Sequence, residues 1–202
     1  MKSIKIPVLF IALAFACSPK VKIEKSWRDP EVTVDVQKLN KVLLVALLDN
    51  EANRRSTEDQ LASMLGGKGV PSYQNYLTKD ISQQSESTVR RRIENENFDG
   101  VIIMRLVDVE KDQRWVPGQY PPFYGRFWGY YWNYYNNFYN QGHYETTKKF
   151  TIETNVYSLK RDKLIWSGIT SSVDPANVGK LMNATAGRVF KEMKKEGFVT
   201  GI

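Results

Sequence analysis

Cysteine and histidine, which serve in many nucleophilic and metal sites, are scarce in this sequence. There is one cysteine, Cys17, and one histidine, His143. A single cysteine excludes an intramolecular disulfide and any metal site built from several thiolates. A histidine-based hydrolase would have to use His143, and no Gly-x-Ser-x-Gly motif accompanies it. We therefore predict no catalytic residue, no metal ligand and no cofactor, and we interpret His143 as a loop residue.

Two groups of charged residues have spacings that could support acid–base or ligand chemistry. Asp108, Glu110 and Asp112 alternate along a predicted strand and so share one face, as paired carboxylates of an acid–base site can. The second group follows a buried strand, at the edge where open α/β sheets bind ligands. Its members are Asp49, Arg54, Arg55, Glu58 and Asp59. We favour a solvated strand face for the first group, and helix capping with surface ion pairs for the second.

The N-terminal segment, residues 1–16, has the features of an export signal. Lys2 and Lys5 precede an uncharged apolar run that ends at Ala16. A transmembrane helix needs about 20 apolar residues, so this run is too short for a permanent span and suits a signal peptide. Its removal takes away two of the 29 basic residues and lowers the net charge from +7 to +5, a mild excess that favours anionic surfaces.

The sequence Leu13-Ala14-Phe15-Ala16-Cys17 resembles a bacterial lipobox. It departs from the commonest form, because Ala14 stands where that form has Leu. The same small residues also suit the ordinary signal peptidase, and both enzymes would cut before Cys17. The position of the only cysteine favours lipidation of Cys17, with residues 17–25 as the lipidated N-terminus and tether, which leads into a first strand near residues 21–27. Ser18 follows where an Asp would favour the inner membrane, so we expect the outer membrane.

An aromatic insert, residues 115–144, is the most unusual stretch. It holds fourteen of the 25 aromatic residues and one fixed charge, Arg126. Three interpretations stay open: a hairpin extension that packs on itself, a membrane-proximal or partner-binding surface, and a glycan-binding platform. Nucleic acid is disfavoured, because stacking on it needs a basic groove. The candidate partner or glycan contacts are Trp115, Tyr120, Tyr124, Trp128, Tyr131, Trp132 and Tyr135.

The pattern of strands and helices along the sequence predicts one α/β (α+β) domain over residues 26–202. An apolar run at residues 41–48 indicates a buried strand, and alternation at residues 150–159 indicates a hairpin strand. Ser56 or Thr57 is predicted to cap one helix, and Asp174 the last helix. The predicted series is β-β-α-β-α-β, the aromatic insert, then β-β-α. It forms a single mixed sheet with helices packed on it.

The layout resembles a class of small bacterial outer-membrane lipoproteins, Bacteroidetes-like, whose role is not established. The matching pieces are the signal with Cys17, the strand FDGVIIMRLV, the insert and the hairpin TNVYSLKRDKLIWSGIT. The resemblance implies structural roles for Tyr157, Leu164, Trp166 and Gly168. We expect a non-enzymatic, lipid-anchored envelope protein that binds an envelope partner through its domain and insert. An enzyme acting on envelope glycan or lipid, and a structural subunit of an envelope assembly, are the alternatives.

Overall fold

The computed structural model describes residues 19–74, 86–116 and 143–201. Its strands are β1 (Val21–Arg28), β2 (Val34–Asp35), β3 (Val42–Leu47), β4 (Gly69–Pro71), β5 (Gly100–Val116), β6 (His143–Ser158), β7 (Lys163–Val173) and β8 (Val199–Thr200). Its helices are α1 (Glu51–Met64), α2 (Glu86–Asn95) and α3 (Val178–Lys195), and two short 3-10 helices lie at Val36–Lys38 and Ser72–Gln74. None of the helices in these ranges is long and apolar enough to cross a membrane.

Six strands form one mixed sheet in the order β1-β7-β6-β5-β3-β4. The pairs among β1, β7, β6 and β5 are antiparallel, whereas β3 is parallel to both β5 and β4. The predicted fold class, a mixed sheet with helices packed on it, is confirmed. The predicted series lacked β2 and β8, which pair in parallel as a separate two-residue ladder. Strands this short leave no alternating pattern to recognise.

The main core lies between the sheet and helices α1 and α3. Leu44, Met104 and Ile152 of the sheet pack there against Leu181 and other buried residues of α3. The opposite face of β3 and β5 carries a smaller cluster in which Leu43 and Phe98 pack with Ile93 of α2. β3 is therefore buried on both faces, and this explains its uninterrupted apolar sequence.

Among the described residues, Trp166 is the largest fully buried side chain, and it contacts Glu196 and Gly168. Its indole Nε1 donates a hydrogen bond to Glu196 at 2.8 Å. Its ring lies over Gly168, and a Cβ at that position would collide with the ring atoms. The glycine is needed here because it makes room for the ring.

Both predicted helix caps are wrong. α1 begins at Glu51, and its N-cap is Asn50, whose side chain accepts from the Asn53 N–H at 2.9 Å. α3 is capped by Asn177 and not by Asp174. The predicted stop at Gly197 is confirmed: it adopts φ +67°, and the following N–H of Phe198 bonds back to Met193 O at 2.9 Å.

Three boundaries differ from the sequence prediction. β1 begins at Val21, so residues 21–25, assigned above to the tether, belong to the sheet. β5 extends to Val116 and β6 starts at His143, so both ends of the predicted insert are strand residues. His143 is accordingly an exposed strand residue and not a loop residue. The part of the insert outside the described residues is 117–142.

Candidate functional site

A two-stranded ribbon extends β5 and β6 beyond the rest of the sheet. We use "ribbon" for residues 110–116 paired with residues 143–149. The third strand, β7, pairs with β6 only as far as Lys149 opposite Val173. Isolated two-stranded hairpins are marginally stable in water, so the ribbon depends on its own cross-strand pairs and on its attachment at the base.

Asp174 attaches the base of the ribbon to the end of β7. Its carboxylate accepts from the Lys148 N–H at 2.7 Å, and its own N–H donates to Lys148 O at 2.8 Å. Asp174 adopts φ +43°, in the left-handed region that aspartate tolerates better than most residues. The residue predicted to cap α3 therefore fixes the ribbon instead.

The outer end of the ribbon carries an aromatic pair, Trp115 on β5 directly opposite Tyr144 on β6. The ring centroids are 4.9 Å apart and the planes are inclined by 63°, an edge-to-face contact. We call these two residues the ribbon tip. Trp115 is 49% exposed and Tyr144 is 68% exposed. Large aromatic surface is therefore presented to the surroundings on a fixed backbone.

Of the predicted contact residues, the structure describes only Trp115. The others are Tyr120, Tyr124, Trp128, Tyr131, Trp132 and Tyr135, and they lie with Cys17 outside the described residues. The chain that connects Val116 to His143 leaves and returns at the ribbon tip. The sequence of that connection, 117–142, holds twelve further aromatic residues.

The carboxylates Asp108, Glu110 and Asp112 are exposed along β5, as the favoured interpretation predicts. Glu110 lies opposite Lys149, and their charged atoms are 3.5 Å apart. At the base of this face, Arg105 pairs with Glu153 at 2.5 Å. Exposed pairs of this kind contribute little stability.

The second charged group divides into a buried centre and an exposed rim. Glu58 is fully buried and accepts from Arg54 at 3.3 Å and from Ser72 Oγ at 2.7 Å. It also accepts the backbone N–H groups of Ala46 at 2.9 Å and Tyr73 at 3.0 Å. Every oxygen of this carboxylate is thus engaged in joining α1 to β3 and to the segment after β4. The favoured interpretation, surface ion pairs, is wrong for Glu58.

The sequence does contain a sign that Glu58 is buried. Glu58 lies three residues before Leu61 and seven before Leu65, and so it falls on the apolar stripe of α1. The rim is exposed: Asp59 accepts from the Tyr73 hydroxyl at 2.8 Å, which raises the pKa of that phenol. Asp49 is exposed at the end of the strand.

An apolar cavity of about 400 Å³ lies at the end of the sheet opposite the ribbon. Val36, Val156 and Phe190 contribute to its walls, and Lys38 and Lys160 stand at its rim. Its volume is in the range of small-molecule sites. No pattern in the sequence indicates this cavity, because its walls come from segments distant in the chain. Neither Arg105 nor the carboxylates of β5 line it.

Two aspartates near this end have pKa values below the ordinary aspartate value. Lys163 Nζ lies 2.6 Å from Asp29, and this ion pair, with the N–H of Glu31, lowers the pKa of Asp29. Burial raises the pKa of Asp99, but Lys160 Nζ at 2.6 Å and the N–H of Asn40 at 2.5 Å outweigh it. Both carboxylates therefore favour the folded state when ionised.

Acidification is expected to destabilise the protein through these two groups. A carboxyl whose folded pKa is depressed contributes stability above its unfolded pKa and loses it as pH falls through the folded pKa. Stability should therefore decline progressively below about pH 5. Asp29→Asn and Asp99→Asn should be less stable than the parent at neutral pH and converge with it in acid. Thermal unfolding across this range measures the effect, and parallel curves for parent and variants would contradict it.

Comparison with known proteins finds no matching family model and no matching curated protein. Among solved structures, the chain is similar to the PelC dodecamer from Paraburkholderia phytofirmans, with TM-score 0.43 and 6% identity over 84% of this chain and 94% of that one. It is also similar to lipoprotein GNA1162 from Neisseria meningitidis, with TM-score 0.39 and 10% identity over 77% and 98%. Likeness at this level assigns no function to the present chain.

Proposed function

We propose that this chain is a non-enzymatic lipoprotein of the cell envelope, anchored by acyl chains on Cys17 and facing an envelope partner with the ribbon end of its domain. The sequence supports the anchor through the short apolar segment and the position of the only cysteine. Two acyl chains are sufficient for stable attachment to a bilayer. We place the anchor in the outer membrane because no Asp follows the cysteine.

The observation that carries the proposal is the register of the sheet. Val21, the first residue of β1, lies opposite Ser172, and Ser172 lies opposite Phe150 of β6. Beyond Phe150, β6 continues outward as the ribbon. The chain therefore enters β1 at the same end of the sheet from which the ribbon extends, so an anchor on Cys17 would hold that end near the membrane.

The alternative of an envelope-acting enzyme receives less support from this geometry. It would need carboxylates of β5 to share a cleft with Arg105 and the aromatic segment. The described cavity lies at the other end of the sheet, and the β5 carboxylates are on an exposed strand face. The cavity suits a small apolar ligand, because its lining is mostly apolar and includes none of those carboxylates.

Deleting residues 120–139 is expected to reduce contacts with the envelope while leaving the domain folded. The deletion removes the aromatic segment and spares the ribbon, the sheet and the anchor. A chain with the same segment replaced by Gly and Ser residues of equal number is the matched control for spacing, and it should behave like the deletion. In-cell crosslinking measures the contacts, and thermal unfolding checks the fold. Unchanged crosslinks from a folded deletion variant would show that the insert has no contact role.

A further inference from the structure

The chain from Val21 to Cys17 and the ribbon from Phe150 to its tip start at the same level of the sheet and have similar maximum lengths. Cys17 is four residues from Val21, and an extended chain spans at most about 14 Å over that distance. Tyr144 is six strand residues from Phe150, which is level with Val21, so the ribbon tip projects about 20 Å beyond it. Two strand spacings, about 10 Å, separate β1 from β6 laterally.

These reaches limit where the membrane can lie. If the bilayer faces this end of the sheet, a tether of about 14 Å cannot hold the domain clear of a ribbon that extends farther. The ribbon then either enters the bilayer surface or tilts to lie along it. Both arrangements bring Trp115 and Tyr144 to the bilayer surface.

The chemistry of the tip fits the headgroup region. Tryptophan and tyrosine concentrate at membrane–water interfaces, because one side of each ring system is apolar and the other can donate a hydrogen bond to water or headgroups. The ribbon itself has three acidic and four basic residues, a net charge of +1 apart from His143. Its attraction to anionic lipid is therefore weak, and the aromatic rings provide the main contact.

We propose that the ribbon tip, Trp115 with Tyr144, is a second membrane contact that inserts into the headgroup region of the bilayer holding Cys17. This inference rests on the proposed lipid anchor, and it names the partner of the ribbon end as phospholipid. Two points of attachment on one end of the sheet fix the orientation of the domain. The end with the apolar cavity is then directed away from the membrane.

Thiol labelling tests this arrangement, because the chain has no cysteine besides Cys17. The mature lipidated protein is prepared with His143→Cys, beside the tip, or with Lys38→Cys, at the rim of the distant cavity. Each is labelled with a fluorophore and reconstituted in phosphatidylcholine vesicles containing lipids brominated near the carbonyl. We expect strong quenching of the label at position 143 and none at position 38. Vesicles that also contain phosphatidylglycerol should give the same result.

Removing the two aromatic rings of the ribbon tip is the second part of the quenching experiment. Adding Trp115→Ala and Tyr144→Ala to His143→Cys should abolish the quenching while the acyl chains keep the protein on the vesicles. Trp27→Ala is the matched control, because Trp27 is also 49% exposed and lies at the other end of β1. This change should leave the quenching intact.

The possible failures are distinguishable. A parent protein that takes up label has a free Cys17 thiol, and the proposed anchor is then wrong. If the parent takes up no label, the anchor stands. If the label on the His143→Cys variant is then quenched no better than that on the Lys38→Cys variant, the second contact alone is overturned. The second contact would also be overturned if the thiol at position 143 were protected from labelling in native membranes but not in pure lipid vesicles. That result would assign the ribbon tip to an envelope protein.

Discussion

Replacing Cys17 with Ser is expected to transfer the mature protein from the membrane pellet to the soluble envelope fraction. Acyl chains contribute about 0.8 kcal/mol per buried CH₂, so losing two or three of them removes most of the attachment. The ribbon tip alone provides two aromatic side chains and cannot replace that contribution. Cell fractionation with detection of the processed chain measures the change.

Ala14→Leu is the matched control for this experiment. It places Leu at the position where the common lipobox has it, and the protein should stay in the pellet. Size separates mature protein from precursor, because the apolar segment of an uncleaved precursor would itself bind the membrane. Processed Cys17→Ser protein that remains in the pellet would contradict the lipid anchor.

Replacing Glu58 with Ala is expected to cause a large loss of stability, even though the residue is a carboxylate on a helix. Removing one partner of a buried ion pair costs about 3–5 kcal/mol, because the remaining charge is left uncompensated. Here two backbone N–H groups and the Ser72 hydroxyl would lose their acceptor, and Arg54 would lose its buried partner while keeping its exposed contact with Glu51. Glu58→Gln keeps the shape and some hydrogen bonds, so we expect a smaller loss of about 1–3 kcal/mol.

Glu51→Ala tests whether burial is the cause. Glu51 lies on the same helix and pairs with Arg55 at 2.8 Å and with the same Arg54 at 3.5 Å, but its side chain is 48% exposed. Exposed pairs contribute about 1 kcal/mol or less. Urea unfolding should therefore separate the Glu58→Ala and Glu51→Ala variants clearly. Equal losses would contradict the role assigned to the buried carboxylate.

The elements with a strong apolar pattern were predictable from sequence. β3 follows from an unbroken apolar run, and α3 follows from the spacing of Leu181, Met182, Val189 and Met193. The start of α1 was not predictable from sequence. Asn50, Ser56 and Thr57 are all good N-cap residues, and the local sequence does not rank them. In the folded protein Thr57 is buried within α1, and its hydroxyl donates to Asn53 O at 2.8 Å one turn earlier in the same helix.

The limits of the ribbon and the network around Glu58 escaped prediction for a different reason. Residues 110–116 have both faces in solvent, so they carry no alternation of apolar and polar residues. The partners of Glu58 are as many as fifteen residues away in the chain, and only the folded sheet brings Ser72 and Tyr73 beside it. The aromatic insert was evident from composition, but the register that puts the start of β1 and the ribbon at the same end of the sheet comes from the structure.

The mass of the N-terminal peptide of the mature protein tests the central claim most directly. We expect a peptide that begins at Cys17 and carries a diacylglyceryl group on the sulfur, with or without an acyl chain on the amine. A peptide that begins at Cys17 with a free thiol, or one that still contains residues before it, would contradict the account. The domain would then have no lipid to hold its ribbon at a bilayer.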